Sequence, residues 1–249
     1  MLVGGGGARA GLCLFVALTA SGCGGEGRCF DREPVQLEIR AVSVLPFDDP
    51  DPIEGAEVCL VEPVECGCAT TKESGFARLD VPSESEILVT ITKPMLMTNI
   101  VQRVAKDEDL SSDVRITRRS DFEAVGMLIE DPVDPSMGHV GIGLLPPPGG
   151  SAAGARVTLH GLDDGSEREA VYFDNLVPKT DRESTDEKGI AFFVNVPPGD
   201  YEVRSPSLEQ CAAIESGLER RAEDGTLRAM EVEVRRDAIT QASAVQCDL

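Results

Sequence analysis

Gly189-Ile190-Ala191-Phe192-Phe193-Val194-Asn195-Val196-Pro197-Pro198-Gly199-Asp200-Tyr201-Glu202-Val203-Arg204 decides the fold. Ile190 to Val196 is an apolar, β-favouring run. Pro197-Pro198-Gly199 stops it, because proline fixes φ and glycine supplies a left-handed turn position. Tyr201 and Val203 then alternate with Asp200, Glu202 and Arg204, the pattern of a half-buried strand. The stretch is two strands joined by a tight turn, entered through the polar turn Thr185-Asp186-Glu187-Lys188.

The same stretch occurs earlier in the chain. Thr71-Lys72-Glu73-Ser74-Gly75-Phe76-Ala77-Arg78-Leu79-Asp80-Val81-Pro82 sets beside Thr185 to Pro197. In both copies Thr stands four residues before Gly, and an apolar run ends in Val-Pro. The second copy has one extra residue before its proline, which predicts a β-bulge. Upstream, Gly55-Ala56-Glu57-Val58-Cys59-Leu60 sets beside Gly154-Ala155-Arg156-Val157-Thr158-Leu159. A shared order of motifs is stronger evidence of a repeat than any one motif.

This order resembles the carboxypeptidase regulatory-like domain, also called the prealbumin-like or transthyretin-like β-sandwich. Its usual run is Gly-Ala-x-Val-x-Leu, then Thr-Asp-x-x-Gly-x-Ala-x-Phe, then Val-Pro-Pro-Gly-x-Tyr. The second copy matches at Gly154, Ala155, Val157, Leu159, Thr185, Asp186, Gly189, Ala191, Phe193, Val196, Pro197, Pro198, Gly199 and Tyr201. The first copy departs after Pro82, where Ser83-Glu84-Ser85-Glu86 replaces the Pro-Gly-x-Tyr turn. The resemblance implies an all-β chain: two tandem antiparallel β-sandwiches of transthyretin or Ig-like type, joined by a short helix. It implies a fold and no chemistry, since such domains are generally accessory modules.

Composition narrows the partners. The chain of 249 residues is long enough for two domains and carries a net charge of −21. Such a surface repels nucleic acid and anionic headgroups. There is no Trp and there are two Tyr, so the cores are built from Val, Ile, Leu and Phe. Scarce aromatics also count against a broad stacking platform for sugars or bases.

At the amino end, Arg9 is followed by the apolar run Gly11 to Leu18, too short to span a bilayer. Residues 1–22 are predicted as a signal peptide. Ala20-Ser21-Gly22-Cys23 resembles a bacterial lipobox, with Ala20 where leucine is usual. By that resemblance Cys23 carries the lipid and becomes the new amino terminus, anchoring the chain without a spanning helix. Ordinary cleavage and secretion is the alternative. Residues 23–34 then form a lipidated cysteine and flexible tether, and Gly24 after Cys23 does not suggest inner-membrane retention.

The first sandwich is placed at residues 35–113, with strands at Val35–Arg40, Glu57–Val61 and around Ile87, Val89 and Ile91. Asp48-Asp49-Pro50-Asp51-Pro52 is acidic but lacks EF-hand spacing and is read as a loop. Ala105 to Asp113 is polar and also read as a loop. Residues 114–137 form a linker with a short helix. Ser120 and Glu123 make its capping box, and Phe122, Val125, Leu128 and Ile129 its apolar face. Asp131-Pro132 ends it. The second sandwich is residues 138–249, with Val157 and Leu159 inward, Met230, Val232 and Val234 alternating with charges, and Ala242 to Cys247 as its last strand. The insert from Asp163 to Ser184 is longer than its counterpart, and long loops at a sandwich end carry recognition. Asp163, Asp164, Tyr172 and Phe173 are its candidate binding residues.

Of eight cysteines, Cys13 leaves with the leader and Cys23 takes lipid. The even remainder, outside the cytoplasm, favours disulfides. Cys211 and Cys247 are the natural pair in the second sandwich, while Cys29, Cys59, Cys66 and Cys68 allow several pairings, Cys59 with Cys66 or Cys68 among them. Cys66-x-Cys68 lacks the Cys-x-x-Cys spacing of a zinc site. The histidines are His139 and His160, and neither precedes a Glu by three residues as in a zinc carboxypeptidase. Both are read as solvated or lightly bonded side chains. The chain also lacks the Tyr-Arg-Gly-Ser tail of transthyretin-like hydrolases and any Walker-type phosphate loop. The expectation is a non-enzymatic, lipid-anchored cell-envelope protein of the outer membrane, needing no cofactor or metal. It acts as a structural or protein-interaction module with an unidentified envelope protein, the alternative being a glycan- or peptide-binding module.

Overall fold

In the computed structural model, which describes residues 33–44, 50–63, 67–145, 151–205, 211–213, 218–221 and 227–247, the sequence repeat is a repeat of hydrogen bonds. Thr71 is buried; its Oγ1 accepts from the Ala56 amide (2.8 Å) and donates to the Ile53 carbonyl (2.6 Å). Thr185 is buried likewise; its Oγ1 accepts from the Ala155 amide (3.1 Å) and donates to the Ala152 carbonyl (2.5 Å). Four residues on, Gly75 and Gly189 have φ of +80° and +66°. Their carbonyls accept from Ala41 and Leu144. A Cβ at Gly75 would stand 2.6 Å from the Ala41 oxygen, and one at Gly189 2.1 Å from the Leu144 oxygen, so both positions exclude any side chain.

These pins hold two sandwiches of one topology. In the first, β1 (Pro34–Ser43) lies between β4 (Phe76–Pro82) and β7 (Leu110–Ile116). That sheet faces β2 (Glu57–Glu62), β3 (Cys68–Thr70), β5 (Ser85–Thr92) and β6 (Thr98–Ala105), in the order β6-β5-β2-β3. The short helix α1 (Arg119–Leu128) follows. In the second sandwich β8 (Gly138–Leu145) lies between β13 (Ile190–Val196) and β18 (Ala238–Cys247). It faces β9 (Thr158–Gly161), β10 (Glu167–Glu169), β14 (Gly199–Arg204) and β17 (Leu227–Val234), in the matching order β10-β9-β14-β17. The second copy adds β11 (Val171–Asp174) and β12 (Val177–Lys179) beside β13, β15 (Cys211–Ala213) beside β18, and β16 (Leu218–Arg221) beside β17. The all-β expectation stands. The pairing is antiparallel except where β1 meets β7 and where β18 meets β8 and β6.

The strand–turn–strand stretch is an arch between two sheets and not the hairpin its sequence suggested. β13 pairs with β8 and β11, while β14 pairs with β9 and β17. Proline at 197 and 198 offers no amide to a ladder, and both strands bury alternate residues against one core from opposite sides. In the first copy β4 and β5 make the same crossing through Ser83 and Glu84, the latter at φ +48°.

The two sandwiches are fused, which the sequence did not foretell. β18 pairs in parallel with β8 of its own sandwich and with β6 of the first, making one continuous sheet of ten strands. Thr240 stands level with Val140 and with Ile100, so these three share a face, and Val140 belongs to the second core. Gln241 stands level with Val101, which belongs to the first core. The two covering sheets therefore lie on opposite faces of the shared sheet. The first core gathers Leu37, Ile39, Val58, Val89 and Val101; the second gathers Val140, Leu144, Val157, Tyr172, Phe193 and Tyr201. Each such side chain contributes roughly 1.5–3 kcal/mol by leaving water.

Helix α1 covers the second sandwich's share of the first-core face. Phe122 inserts with Met97, Val194 and Ile239 into a third cluster, its ring 4.6 Å from that of His139 and 5.9 Å from that of Phe192. Both guanidinium nitrogens of Arg119 donate to Asp237, at 2.7 and 2.9 Å. At the other end Asn195 sits in the predicted bulge, at φ +51° with the register shifting between Phe193 and Val196. Its Nδ2 donates to Asp131 Oδ1 (2.7 Å) and the Pro132 carbonyl (2.9 Å), and its Oδ1 accepts from the Asp134 amide (2.9 Å). The extra residue of the second copy thus straps the linker to the sheet.

Several sequence expectations are corrected in this region. The helix is capped by Arg118 without a side-chain bond, and Ser120 contacts Asp121 instead. The amide of Arg119 donates to the Met95 carbonyl, so tertiary contacts set the start that a capping box would have set. Leu128 is 65% exposed, and Gly126 takes its place inward, where a Cβ would stand 2.8 Å from the Asp131 oxygen. The supposed loop 105–113 holds the start of β7. Ser112 is one of its inward residues and accepts from Arg103, which hides the apolar alternation. The last strand starts at Ala238, four residues earlier than expected. His139 is fully buried, so of the two expected states it is the lightly bonded and not the solvated one: its Nδ1 accepts from the Asn195 amide (3.2 Å) and its Nε2 has no hydrogen-bond partner. Burial, above all, lowers its pKa from 6.5 to about 4, against the opposing pull of Asp237 and Asp131 and with help from Arg119.

Two outcomes follow. Thr185→Val strands a buried amide and a buried carbonyl, and should cost about 2–4 kcal/mol in urea unfolding, with Thr71→Val costing as much. A loss under about 0.5 kcal/mol would show that the pins are idle. For His139, the unfolded imidazole binds a proton that the folded one refuses between pH 6.5 and about 4. Stability should therefore fall as pH drops through that window, by up to about 3 kcal/mol, and His139→Leu should flatten the slope.

Candidate functional site

The fusion leaves a concave cleft, with a volume of about 290 Å³, between the outer face of β5 and β6 and the open ends of β14 and β17. Leu162, 40% exposed, is the open apolar residue of its wall, with the buried Ile87, Leu88, Tyr201 and Val232 behind it. Glu62, Glu86, Asp200, Glu231 and Glu233 supply its rim, with Gln102 between them. Strand alternation puts these carboxylates together: Asp200 stands opposite Glu233 and Glu202 opposite Glu231 in the antiparallel pair β14·β17. Like charges in such positions repel.

Arginine relieves part of that repulsion. Arg204 grips Glu202 through Nε (2.8 Å) and a second nitrogen (2.5 Å). Arg235 donates through Nε to Glu233 (2.6 Å) and through a terminal nitrogen to Glu62, bridging the two sandwiches across the cleft. The Glu233 amide donates to Gln102 Oε1 (2.9 Å), a second bridge. Asp200 has no such guanidinium among its described contacts. Desolvation, then Glu233, Asp163, Glu231 and Glu62, raise its pKa above the ordinary carboxylate value. The cleft is suited to receive cationic groups, and among its described lining residues no nucleophile stands beside a base.

The candidate loop residues separate in space. Asp163 and Asp164 are exposed in the turn after β9, beside the cleft, where the Leu162 amide donates to the Asp200 carbonyl. The Ser166 amide donates to Asp164 and holds its carboxyl below the usual range. Tyr172 and Phe173 are corrected: they are 2% and 6% exposed and belong to the interior. The Tyr172 hydroxyl accepts from the Val157 amide (2.9 Å), and Phe173 packs 5.6 Å from Phe192. In β11 both residues gain more from the two faces they bury than from solvent, a fact invisible while the insert looked like a loop. Tyr201 is buried as expected, its hydroxyl donating to the Pro197 carbonyl (2.9 Å). Both tyrosines of the chain are thus unavailable for sugar stacking. The cleft carboxylates lie on strands far apart in sequence, so no local motif announced them.

Cys59 and Cys68 are joined in a disulfide across β2 and β3, with Cα atoms 4.1 Å apart. Glu57 converges with them, but the bond removes both thiolates from any metal. Cys23, Cys29 and Cys66 lie outside the described residues. His160 Nε2 lies 3.1 Å from Thr158 Oγ1 and 3.8 Å from Glu167. Among the described residues no helix is long and apolar enough to cross a membrane.

No family model matches the chain, and no curated protein matches it in sequence. Among solved structures it is similar to the TIE protein of Bacillus anthracis, at 16% identity and a TM-score of 0.29, over 87% of this chain and 34% of that one. It is similar to a minor pilin of Streptococcus agalactiae at 14% identity and TM-score 0.28, over 86% of this chain and 97% of that one. It is also similar to the major pilin subunit of Bacillus cereus at 10% identity and TM-score 0.31, over 87% of this chain and 100% of that one. This chain thus spans about a third of the first of these. Identities and scores this low assign neither family nor role.

Asp200→Asn should raise Tm by about 1–3 °C at pH 7 and low salt, and the gain should shrink near 1 M salt, where the screening length is about 3 Å. Thermal melts at the two salt concentrations check this; an unchanged or lowered Tm would mean the cleft carboxylates do not strain the fold.

Proposed function

We propose that this chain is a non-enzymatic cell-envelope protein, lipid-anchored at Cys23, whose two sandwiches act as one rigid structural module that engages a protein partner. The observation that carries this reading is the shared sheet: β18 pairs with both sandwiches, so the halves do not hinge freely about the linker. A rigid body of this kind transmits position from an anchor to a partner. The lipobox-like Ala20-Ser21-Gly22-Cys23, the residue 23–34 tether and the even count of remaining cysteines support an anchored, oxidised location. The motif order of both copies, with its paired threonine pins, supports kinship with carboxypeptidase regulatory-like domains. The division into sandwiches at residues 35–113 and 138–249, with a helical linker between, belongs to the same reading, except that the first sandwich runs on to Ile116, where β7 ends.

Of the alternative binding roles, the peptide form is favoured over the glycan form. The cleft combines an apolar wall with a carboxylate rim, whereas Tyr172, Phe173 and Tyr201 are buried.

The test is the intact mass of the protein from isolated membranes, joined to crosslinking in cells with a carboxylate-to-amine reagent. The expected result is a chain beginning at Cys23 with a lipid adduct, linked to a protein neighbour through cleft carboxylates. An unlipidated soluble product would sink the anchored reading. Lipidation without any crosslinked neighbour would sink the protein-interaction reading.

A further inference from the structure

We propose that Cys211 and Cys247 form a disulfide that ties β15 to the C-terminal half of β18 and clamps the strand joining the two sandwiches. One edge of β18 is taken by β8. The other is divided: Ala238 to Gln241 pairs with β6, and Val245 to Cys247 pairs with β15. The changeover falls where the β8 register shifts, between Ala242 and Val245. Beyond that point β15 takes over the edge on which β6 has ended.

The backbone register sets Cys211 directly opposite Cys247 in an antiparallel pair. Opposed residues in such a pair have Cα atoms about 4.5 or 5.5 Å apart, and both spacings fall within the usual disulfide range of about 4.4–6.8 Å. The chain carries its own precedent. Cys59 and Cys68 are opposed in the same way across β2 and β3, and they are bonded. The two bonds differ in what they enclose. Cys59–Cys68 closes a loop of sequence separation 9 at the end of the shared sheet. The bond between Cys211 and Cys247 encloses β16 and β17 of the second covering sheet, and so ties that sheet to the shared one.

The chemistry is thiol–disulfide exchange. One cysteine thiolate attacks the disulfide of an exported thiol oxidase, the second displaces that oxidase, and the oxidase leaves as a dithiol having taken two electrons and two protons. In a cell the step rests on the export reading above; in a tube, glutathione disulfide is the oxidant.

The test is peptide mapping, without reductant, of two samples: protein isolated from membranes, and purified protein reduced and then reoxidised with glutathione disulfide. The expected result in both is a linked pair of peptides carrying Cys211 and Cys247. Cys211→Ala/Cys247→Ala should lower Tm by roughly 10 °C, and Cys59→Ala/Cys68→Ala by less, in keeping with the shorter loop. Should the first double variant not fold, reduction of the wild type supplies the same comparison. Failure of the two residues to link after reoxidation overturns the proposal. Linkage after reoxidation with free thiols in the membrane-isolated protein upholds the pairing and overturns export into an oxidising compartment.

Discussion

The parallel pairing of β18 with β6 is the constraint on which the rest of the molecule depends. Without it the chain is two sandwiches on a linker. With it, the first sandwich's four strands continue into the second sandwich's six, and the two covers fall on opposite faces. The cleft exists because the second cover overhangs the outer face of β5 and β6. The space for α1 exists because the first cover stops short of β8 and β13 on the other face. The cleft and the seat of α1 are both consequences of one strand shared between two repeats.

Sharing a strand brings the edge problem of all sheets with it. The long sheet ends in β12 and β3, each of three residues, and short edge strands resist pairing with other chains. The inner edge of β18 is filled by β6 and β15 together. In the second copy β16 covers the edge of β17, which in the first copy is the edge that β6 gives to β18. The internal joint is thus made once and is not offered again at β17.

Polar groups hold this apolar scaffold in register. Thr71 and Thr185 each satisfy one amide and one carbonyl that the crossing chain would otherwise bury unpaired, and such groups are costly to leave. Asn195 converts an extra residue in a strand into a strap for the linker. His139, beneath Phe122, is held neutral at ordinary pH by the same packing. In the cleft the balance differs: carboxylates outnumber the arginines that reach them, and Asp200 bears the excess as a raised pKa.

Much of the fold was legible in the residues. Alternation in Val35–Arg40, Ile87–Thr92 and Met230–Val234 marked strands because one face of each meets a core and the other meets water. The Thr-x-x-x-Gly spacing marked both pins, and the one-residue excess before Pro197 marked the bulge, because these are local geometries that particular residue types impose. Pattern could not reveal which sheet a strand enters, since β13 and β14 alternate alike whether they pair or face each other. It could not reveal β7, whose inward Ser112 is satisfied by an arginine from another strand, nor the burial of Tyr172, Phe173 and His139, which depends on what packs above them. The cleft was beyond sequence altogether. Its carboxylates come from β2, β5, β14 and β17, and only the joining of β18 to β6 brings those strands to one place.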